Sequence, residues 1–131
     1  MSLTKFASKL FKPRQYELEK HYTQPEALQR RALHYLLEKG KYTEYGRNHM
    51  LASTHSYDDF VNNVPINTYE ELKGDIDRMR HGEPNVLWPG VVKWYAKSSG
   101  TTNDKSKFIP VSSDGLHNIH YKGGADVVTV Y

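Results

Sequence analysis

Apolar residues in the first part of the chain recur every three to four positions, which is the spacing of one face of an α-helix. Residues 1–11 form the first such segment, and Pro13 is predicted to end it because proline cannot continue the backbone hydrogen bonds. A short amphipathic helix of this kind suits a membrane surface or the protein's own core, and the second is favoured. Thr23 and Glu26 have capping-box spacing, so a second helix is predicted from there to Gly40.

The same spacing predicts three more helices between residues 42 and 83. Two short helices are predicted at 42–50 and 56–62, the latter capped by Ser56. Thr68 and Glu71 repeat the capping-box pattern, and Gly82 is predicted to close the helix that follows. The apolar face of that helix comprises Leu72, Ile76 and Met79.

The pattern changes after Trp88, where two β-prone runs at 91–96 and 108–111 flank a polar stretch. This arrangement predicts a strand pair with a polar turn between the strands. Beyond it, Ser112 or Ser113 can cap a last helix, although the β-branched residues at 127–130 also allow a terminal strand. The predicted fold class is therefore mixed α/β.

The polar stretch carries the candidate chemistry of the chain. Hydroxyl groups and free backbone N–H groups donate to phosphate oxygens, Gly100 permits a close backbone approach, and Lys105 or Lys107 supplies a cation. The pattern is compatible with a nucleotide-phosphate cradle or with an ordinary solvated turn, and it is not a Walker loop. The candidate phosphate-binding residues are Ser98, Ser99, Gly100, Thr101, Thr102 and Lys107.

The run Ser98-Ser99-Gly100-Thr101-Thr102, with Lys107 and Pro110, resembles the phosphate-binding motif of the auxin-responsive acyl-acid amido synthetases. Those enzymes belong to the adenylate-forming superfamily that includes firefly luciferase. Residues 64–72 and 76–83 are similar to the helical segment that precedes the motif, and 43–47 give a weaker match. The similarity covers residues 25–131. One departure is Asp104, where the family often has glycine, and it bears on the conformation of the loop.

The resemblance implies the N-terminal part of an enzyme that uses ATP and Mg²⁺ to join a carboxylic acid to an amino acid. It implies an N-terminal arm at 1–24, a helical segment at 25–83, and a strand, phosphate loop, strand and helix at 84–131. Since the sequence stops abruptly after an apolar run, we expect a piece of a longer enzyme that is inactive alone. Strand edges and an apolar helix face left uncovered would favour self-association.

The composition of the chain bears on several other kinds of site and partner. The absence of cysteine among the 131 residues removes disulfides and thiolate sites, and the histidine spacing matches no metal motif. No apolar run suits a membrane span and no signal peptide is visible, so a cytoplasmic protein without a membrane partner is expected. Residues 51–90 hold three basic against seven acidic residues, so the net charge of +3 does not form one basic face for nucleic acid. The alternatives are a small basic, tyrosine-rich module that binds RNA or a protein without catalysis, and a helical interaction domain.

Overall fold

The computed structural model describes residues 3–99 and 106–130, and at 3–11, 128 and 130 it describes only the backbone. Helices and one two-stranded antiparallel sheet form the mixed α/β fold that the sequence predicts. No helix in the described ranges is both long and apolar enough to cross a membrane. The helices before the sheet are α1 (Leu3–Thr23), α2 (Pro25–Gly40), α3 (Glu44–Asn48), α4 (Tyr57–Asn63) and α5 (Tyr69–Arg80), with a 3-10 turn at Leu51–Ser53. The strands β1 (Trp94–Lys97) and β2 (Phe108–Val111) precede α6 (Ser113–Gly115), a π-helical segment (Leu116–Tyr121) and α7 (Lys122–Val130).

The chain divides into two compact units. The terminal unit consists of Met1–Arg31 and Asp114–Tyr131, and the central unit consists of Ala32–Ser113. The central unit contains both strands, and therefore the whole stretch in which the sequence predicts phosphate binding.

Pro13 lies inside α1, so the predicted end of the helix at this residue is wrong. The residues that follow are good helix formers, and Glu17 and Lys20 add an ion pair of 2.6 Å one turn apart. Arg14, next to the proline, forms a bidentate ion pair with Asp126, and this pair holds α1 against α7. Local propensity and this tertiary contact together carry the helix past the hydrogen bond that proline removes.

The second helix starts where it was predicted, but Thr23 does not act as its N-cap. Thr23 is the last residue of α1, and its hydroxyl donates to the Glu19 carbonyl at 3.2 Å. A residue in helical conformation does not take the extended backbone of an N-cap. The helix α2 instead begins at Pro25, where proline is tolerated because its missing N–H would have no helical partner.

The helix α7 continues to Val130, so the alternative of a terminal strand at 127–130 is wrong. Helical spacing in the sequence of this last segment predicts one apolar face that includes Ile119 and Val127, yet the two residues are 75% and 59% exposed. A π-helical segment at Leu116–Tyr121 interrupts the regular helix in this region. Its wider turns shift the spacing at which residues return to the same face, so the regular helical pattern does not extend across it.

The core of the central unit forms between α5 and the loop that follows it. Met79 of α5 is buried with Val86 and Val92, and Leu87, Trp88 and Tyr95 pack around these three side chains. Asn85 takes a left-handed backbone conformation, which asparagine tolerates well, and its side chain accepts the Gly90 N–H at 2.8 Å. The loop at 85–90 is thereby closed on itself and presents Val86 to the core.

The first turn of α3 docks on this loop. The N–H groups of Glu44 and Tyr45 donate to the carbonyls of Asn85 and Val86, at 2.7 and 3.1 Å. The helix predicted at 42–50 is thus confirmed in a shorter form. Thr43 is its buried N-cap, and the Thr43 hydroxyl donates to the Gly40 carbonyl and accepts the Gly46 N–H. Five residues are buried around this junction: Leu37, Gly40, Thr43, Gly46 and Leu51.

Two of the predicted helix caps are confirmed. Ser56 accepts the Asp59 N–H at 3.1 Å, and the Asp59 carboxylate accepts the Ser56 N–H at 3.0 Å, as a capping box requires. At the start of α5, the Glu71 carboxylate accepts the N–H and the hydroxyl of Thr68, at 2.6 and 2.8 Å. These local bonds set Tyr69 as the first residue of α5.

The two strands pair antiparallel, with Trp94 opposite Val111 and Lys97 opposite Phe108. The first strand begins at Trp94, three residues later than the predicted start at residue 91. The reason is that β2 ends at Val111 and a helix starts at Ser113, so residues before Trp94 have no strand partner in this sheet. Val92 is buried in the core of the central unit instead.

Candidate functional site

The pairing of the hairpin continues one step beyond the two strands, at Ser98 and Lys107. The Ser98 N–H donates to the Lys107 carbonyl at 2.9 Å, and the Lys107 N–H donates to the Ser98 hydroxyl oxygen at 3.0 Å. The hydroxyl of Ser98 thus takes the place that a backbone carbonyl has in an ordinary antiparallel pair. These two bonds fix the position at which the polar stretch leaves the sheet and returns to it.

Three of the predicted phosphate-binding residues lie together at this end of the hairpin. Ser99 and Lys107 are exposed, and Ser98 is half-buried. The other three, Gly100, Thr101 and Thr102, fall outside the described residues, as does Asp104. The three described candidate residues therefore offer two hydroxyls and one ammonium group at the end of a strand pair. These are groups that donate hydrogen bonds to phosphate oxygens.

The helix α5 supports this end of the hairpin through Tyr69. The Tyr69 hydroxyl accepts the Phe108 N–H at 3.0 Å, and the Lys107 ammonium lies 5.2 Å from the centre of the Tyr69 ring. At the other end of α5, the Arg80 guanidinium lies 3.7 Å from the centre of the Phe108 ring. The Lys107–Tyr69 and Arg80–Phe108 contacts are of the cation–π type. Together with the hydrogen bond from Phe108, they fix β2 to α5 where the polar stretch re-enters the sheet.

Sequence reasoning assigned no role to Tyr69. The residue lies in the block at 64–72 that carries the family resemblance, and it directly follows the Thr68 cap. Its contact with Phe108 joins residues 39 positions apart, so spacing along the chain gives no sign of it. The signal that was available is its place as the first residue of a well-capped helix, where its orientation is fixed by the cap.

No group of His, Asp and Glu side chains in the described ranges could hold a metal ion. The histidines that the sequence places three apart, His117 and His120, each lie against the ring of Tyr121. The hydroxyl, N–H and ammonium groups at the hairpin end are hydrogen-bond donors, which suit an anion. A divalent cation would need oxygen ligands from elsewhere.

An ionic network fixes α5, and with it Tyr69, to the rest of the central unit. The Arg78 guanidinium donates to Glu44 at 2.6 and 2.9 Å, to Asp75 at 3.2 Å, and through Nε to Glu83 at 2.9 Å. Its hydrogen bonds lower the pKa values of the Glu44 and Glu83 carboxyls and raise the pKa of Arg78 itself. The network joins α3, α5 and the segment after α5.

Replacing Arg78 by methionine should lower the thermal stability of the chain near neutral pH and weaken its dependence on pH. A carboxyl with a lowered folded pKa stabilises the fold above its unfolded pKa, and this contribution is lost as pH falls through the folded value. The loss therefore begins below the ordinary glutamate pKa of 4.5. Thermal unfolding at about pH 7 and about pH 3 should show the difference between wild type and Arg78→Met shrinking in acid.

The matched control is Arg30→Met, which removes an exposed pair with Glu26 at 3.7 Å. Such pairs contribute about 0.5 kcal/mol or less, so this variant should unfold like the wild type at either pH. An Arg78→Met deficit that is equally large at both pH values would show that the network does not act through ionised carboxylates.

The sequence matches one protein family and several named proteins. The GH3 family N-terminal domain matches residues 14–129. A protein of Oryza sativa subsp. japonica, named "Probable indole-3-acetic acid-amido synthetase GH3.2", is 30% identical over 92 residues, which are 70% of this chain and 15% of that protein. Indole-3-acetic acid-amido synthetase GH3.15 of Arabidopsis thaliana is 31% identical over 100 residues, which are 76% of this chain and 17% of that protein. The chain thus spans about one sixth of the length of these relatives.

Proposed function

This chain belongs to the GH3 family of auxin-responsive amido synthetases, and we propose that it is the N-terminal part of an ATP-dependent enzyme that joins a carboxylic acid to an amino acid. The relatives are named as synthetases that act on indole-3-acetic acid. The substrate class proposed here is the wider one of carboxylic acids, because no residue of an acid pocket is identified in this chain. The family match favours this enzyme over a binding module without catalysis.

The observation that carries the proposal is the pairing of Ser98 with Lys107 at the hairpin end. It gathers donor groups at the base of the stretch whose sequence resembles a phosphate-binding motif. In the proposed reaction the acid carboxylate attacks the α-phosphorus of ATP, the bond to the β-phosphate oxygen breaks, and pyrophosphate leaves. The amino-acid amine then attacks the acyl carbon and releases AMP, with loss of the amine proton to solvent.

The role of the loop follows from the charge that develops in the first step. Negative charge grows on the β- and γ-phosphates as pyrophosphate leaves, and donors fixed there in advance stabilise the transition state. Lys107 supplies a positive charge, while Ser98, Ser99 and the stretch at 100–102 supply hydroxyl and N–H groups. Mg²⁺ reaches the site on the phosphates as part of the substrate, where it neutralises charge on the oxygens.

The test is acid-dependent exchange of pyrophosphate into ATP, which reports the first step alone. The full-length protein should catalyse this exchange with at least one carboxylic acid. A polypeptide of these 131 residues alone should show none above background, since it spans about one sixth of the relatives. Exchange by the 131-residue polypeptide would contradict the view that further segments are required, and the absence of exchange by the full-length protein with any acid would contradict the proposed function.

A further inference from the structure

We infer that Tyr69 is a positioning residue for the phosphate loop, holding the Lys107 ammonium and the start of β2 in place for ATP. The inference rests on the proposed function, because it assigns Tyr69 a role in the reaction through Lys107. Two separate contacts carry it, one made by the hydroxyl of Tyr69 and the other by its ring.

The hydroxyl contact follows from the pairing pattern of the hairpin. Ser98 and Lys107 form a hydrogen-bonded pair, so the neighbouring pair, Lys97 and Phe108, is one whose backbone groups point away from the partner strand. The Phe108 N–H is thus directed out of the sheet at the outer edge of β2. The Tyr69 hydroxyl accepts it at 3.0 Å, so α5 supplies the bond that a third strand would otherwise make.

The ring contact acts on the cation itself. A lysine side chain at an exposed position has many rotamers, and ordering it costs free energy. The Tyr69 ring lies 5.2 Å from the Lys107 ammonium, within the range in which an aromatic face attracts a cation. An aromatic ring, unlike a carboxylate, leaves the positive charge uncompensated. Lys107 is therefore restricted in position while its full charge is available to an anion.

The position of Tyr69 is itself well defined. It is the first residue of α5, directly after the Thr68 cap, and the Arg78 network ties the same helix to α3. At the other end of α5, Arg80 lies against the Phe108 ring at 3.7 Å and is bonded to Asp77 at 3.0 Å. Both ends of α5 thus contact the first residue of β2, which makes the helix a rigid support for Lys107.

The experiment compares Tyr69→Phe, Tyr69→Leu and the matched control Tyr57→Phe in the full-length protein. Tyr57 is also the first residue of a capped helix, α4, and its side chain is 70% exposed. Acid-dependent pyrophosphate exchange is measured over a range of ATP concentrations. Loss of the hydroxyl in Tyr69→Phe should lower kcat about 3- to 10-fold with KM for ATP little changed, and loss of the ring as well in Tyr69→Leu should lower it about 10- to 50-fold. The control should match the wild type.

A double-mutant cycle separates positioning from a general effect on folding. In a Lys107→Ala background the ring has no ammonium to hold, so Tyr69→Leu should cost no more than Tyr69→Phe costs there. Amide hydrogen exchange gives a readout apart from activity, because the Phe108 N–H should exchange roughly 5-fold faster in Tyr69→Phe and unchanged in Tyr57→Phe.

The outcomes distinguish this inference from the function on which it rests. If Lys107→Ala impairs exchange but Tyr69→Phe and Tyr69→Leu behave like the Tyr57 control, the role of Tyr69 is refuted and the proposed function stands. A Tyr69→Leu loss that is equally large with and without Lys107 also refutes positioning through the ammonium. If Lys107→Ala is itself fully active, the phosphate-binding assignment falls, and the role of Tyr69 falls with it.

Discussion

Alanine at position 46 is expected to unfold the central unit or to destabilise it by about 3 kcal/mol or more. A Cβ on Gly46 would lie 2.0 Å from the carbonyl oxygen of Gly40 and 2.7 Å from its carbonyl carbon. Both atoms are backbone and cannot turn aside as a flexible side chain could. The φ angle of Gly46 is not positive, so the requirement for glycine here comes from space and not from backbone conformation.

The substitution Gly46→Ala would also disrupt hydrogen bonds around the steric clash. Gly46 donates its N–H to the buried hydroxyl of Thr43, which in turn donates to the same Gly40 carbonyl. Moving α3 away from Gly40 would break both bonds and would also pull Glu44 and Tyr45 from the loop at 85–90. Buried groups that lose their partners are costly, so relaxation of the clash does not recover the stability.

The matched control is Gly74→Ala in the middle of α5. A Cβ there meets nothing within 4 Å, and alanine is favoured over glycine inside a helix by about 0.5–1 kcal/mol. Both substitutions restrict the unfolded chain in the same way, so the comparison isolates the folded state. Chemical denaturation of the 131-residue chain should show Gly46→Ala strongly destabilised and Gly74→Ala slightly stabilised. Equal stability of the two variants would mean that α3 does not pack closely against Gly40.

Local features of the fold could be predicted from sequence, because their causes lie within a few residues. The caps at Ser56 with Asp59 and at Thr68 with Glu71 depend on groups three positions apart, and both are present in the structure. The burial of Ile76 and Met79 follows from their helical spacing on one side of α5. These bonds and faces need no knowledge of the rest of the chain.

The misplaced boundaries have causes distant in sequence. The helix α1 passes through Pro13 beside an ion pair between Arg14 and Asp126, which are 112 positions apart. The start of β1 at Trp94 depends on where β2 ends. The loop at 85–90 forms part of the core because Asn85 adopts a left-handed backbone and because α3 donates to its carbonyls. Such arrangements emerge only when the elements have been brought together.

The candidate site likewise has residues that sequence could identify and one, Tyr69, that it could not. Residue chemistry and family resemblance drew attention to Ser98, Ser99 and Lys107, and the structure places all three at one end of the hairpin. Tyr69 was not found, because its partners lie across a long stretch of chain. The assignment of these residues to ATP phosphates stays a prediction, and Lys107 is the residue with which it can be tested most directly.

Loss of the Lys107 ammonium is expected to lower the rate of adenylation by roughly 30- to 1,000-fold in the full-length protein. A cation that acts on the charge developing on pyrophosphate should contribute on the order of 2–4 kcal/mol to the transition state, by analogy with other preorganised donors. About 1.4 kcal/mol corresponds to each tenfold change in rate. The hairpin should survive Lys107→Ala, because Lys107 pairs with Ser98 through its backbone groups, which alanine retains.

Other substitutions in the stretch give an expected order of effects. Lys105→Ala should change the rate little, because Lys107 is the lysine that matches the family's motif and a lysine without a role in the site contributes little. Ser99→Ala and Thr101→Ala should fall between the two lysine variants, since each removes one neutral donor. Gly100→Ala should be severe if the phosphate approaches the backbone at that residue.

The comparison between two lysines of the same hairpin makes the test specific. Lys97 is an exposed residue of β1, opposite Phe108 and one step from Lys107 along the ladder. Lys97→Ala removes the same charge from nearly the same place, so an effect of net charge on ATP binding would lower the rate in both variants alike. A large loss in Lys107→Ala together with near-normal exchange in Lys97→Ala would assign the effect to the direction in which Lys107 presents its ammonium. Normal exchange by a folded Lys107→Ala protein would instead exclude this end of the hairpin as the site that stabilises pyrophosphate.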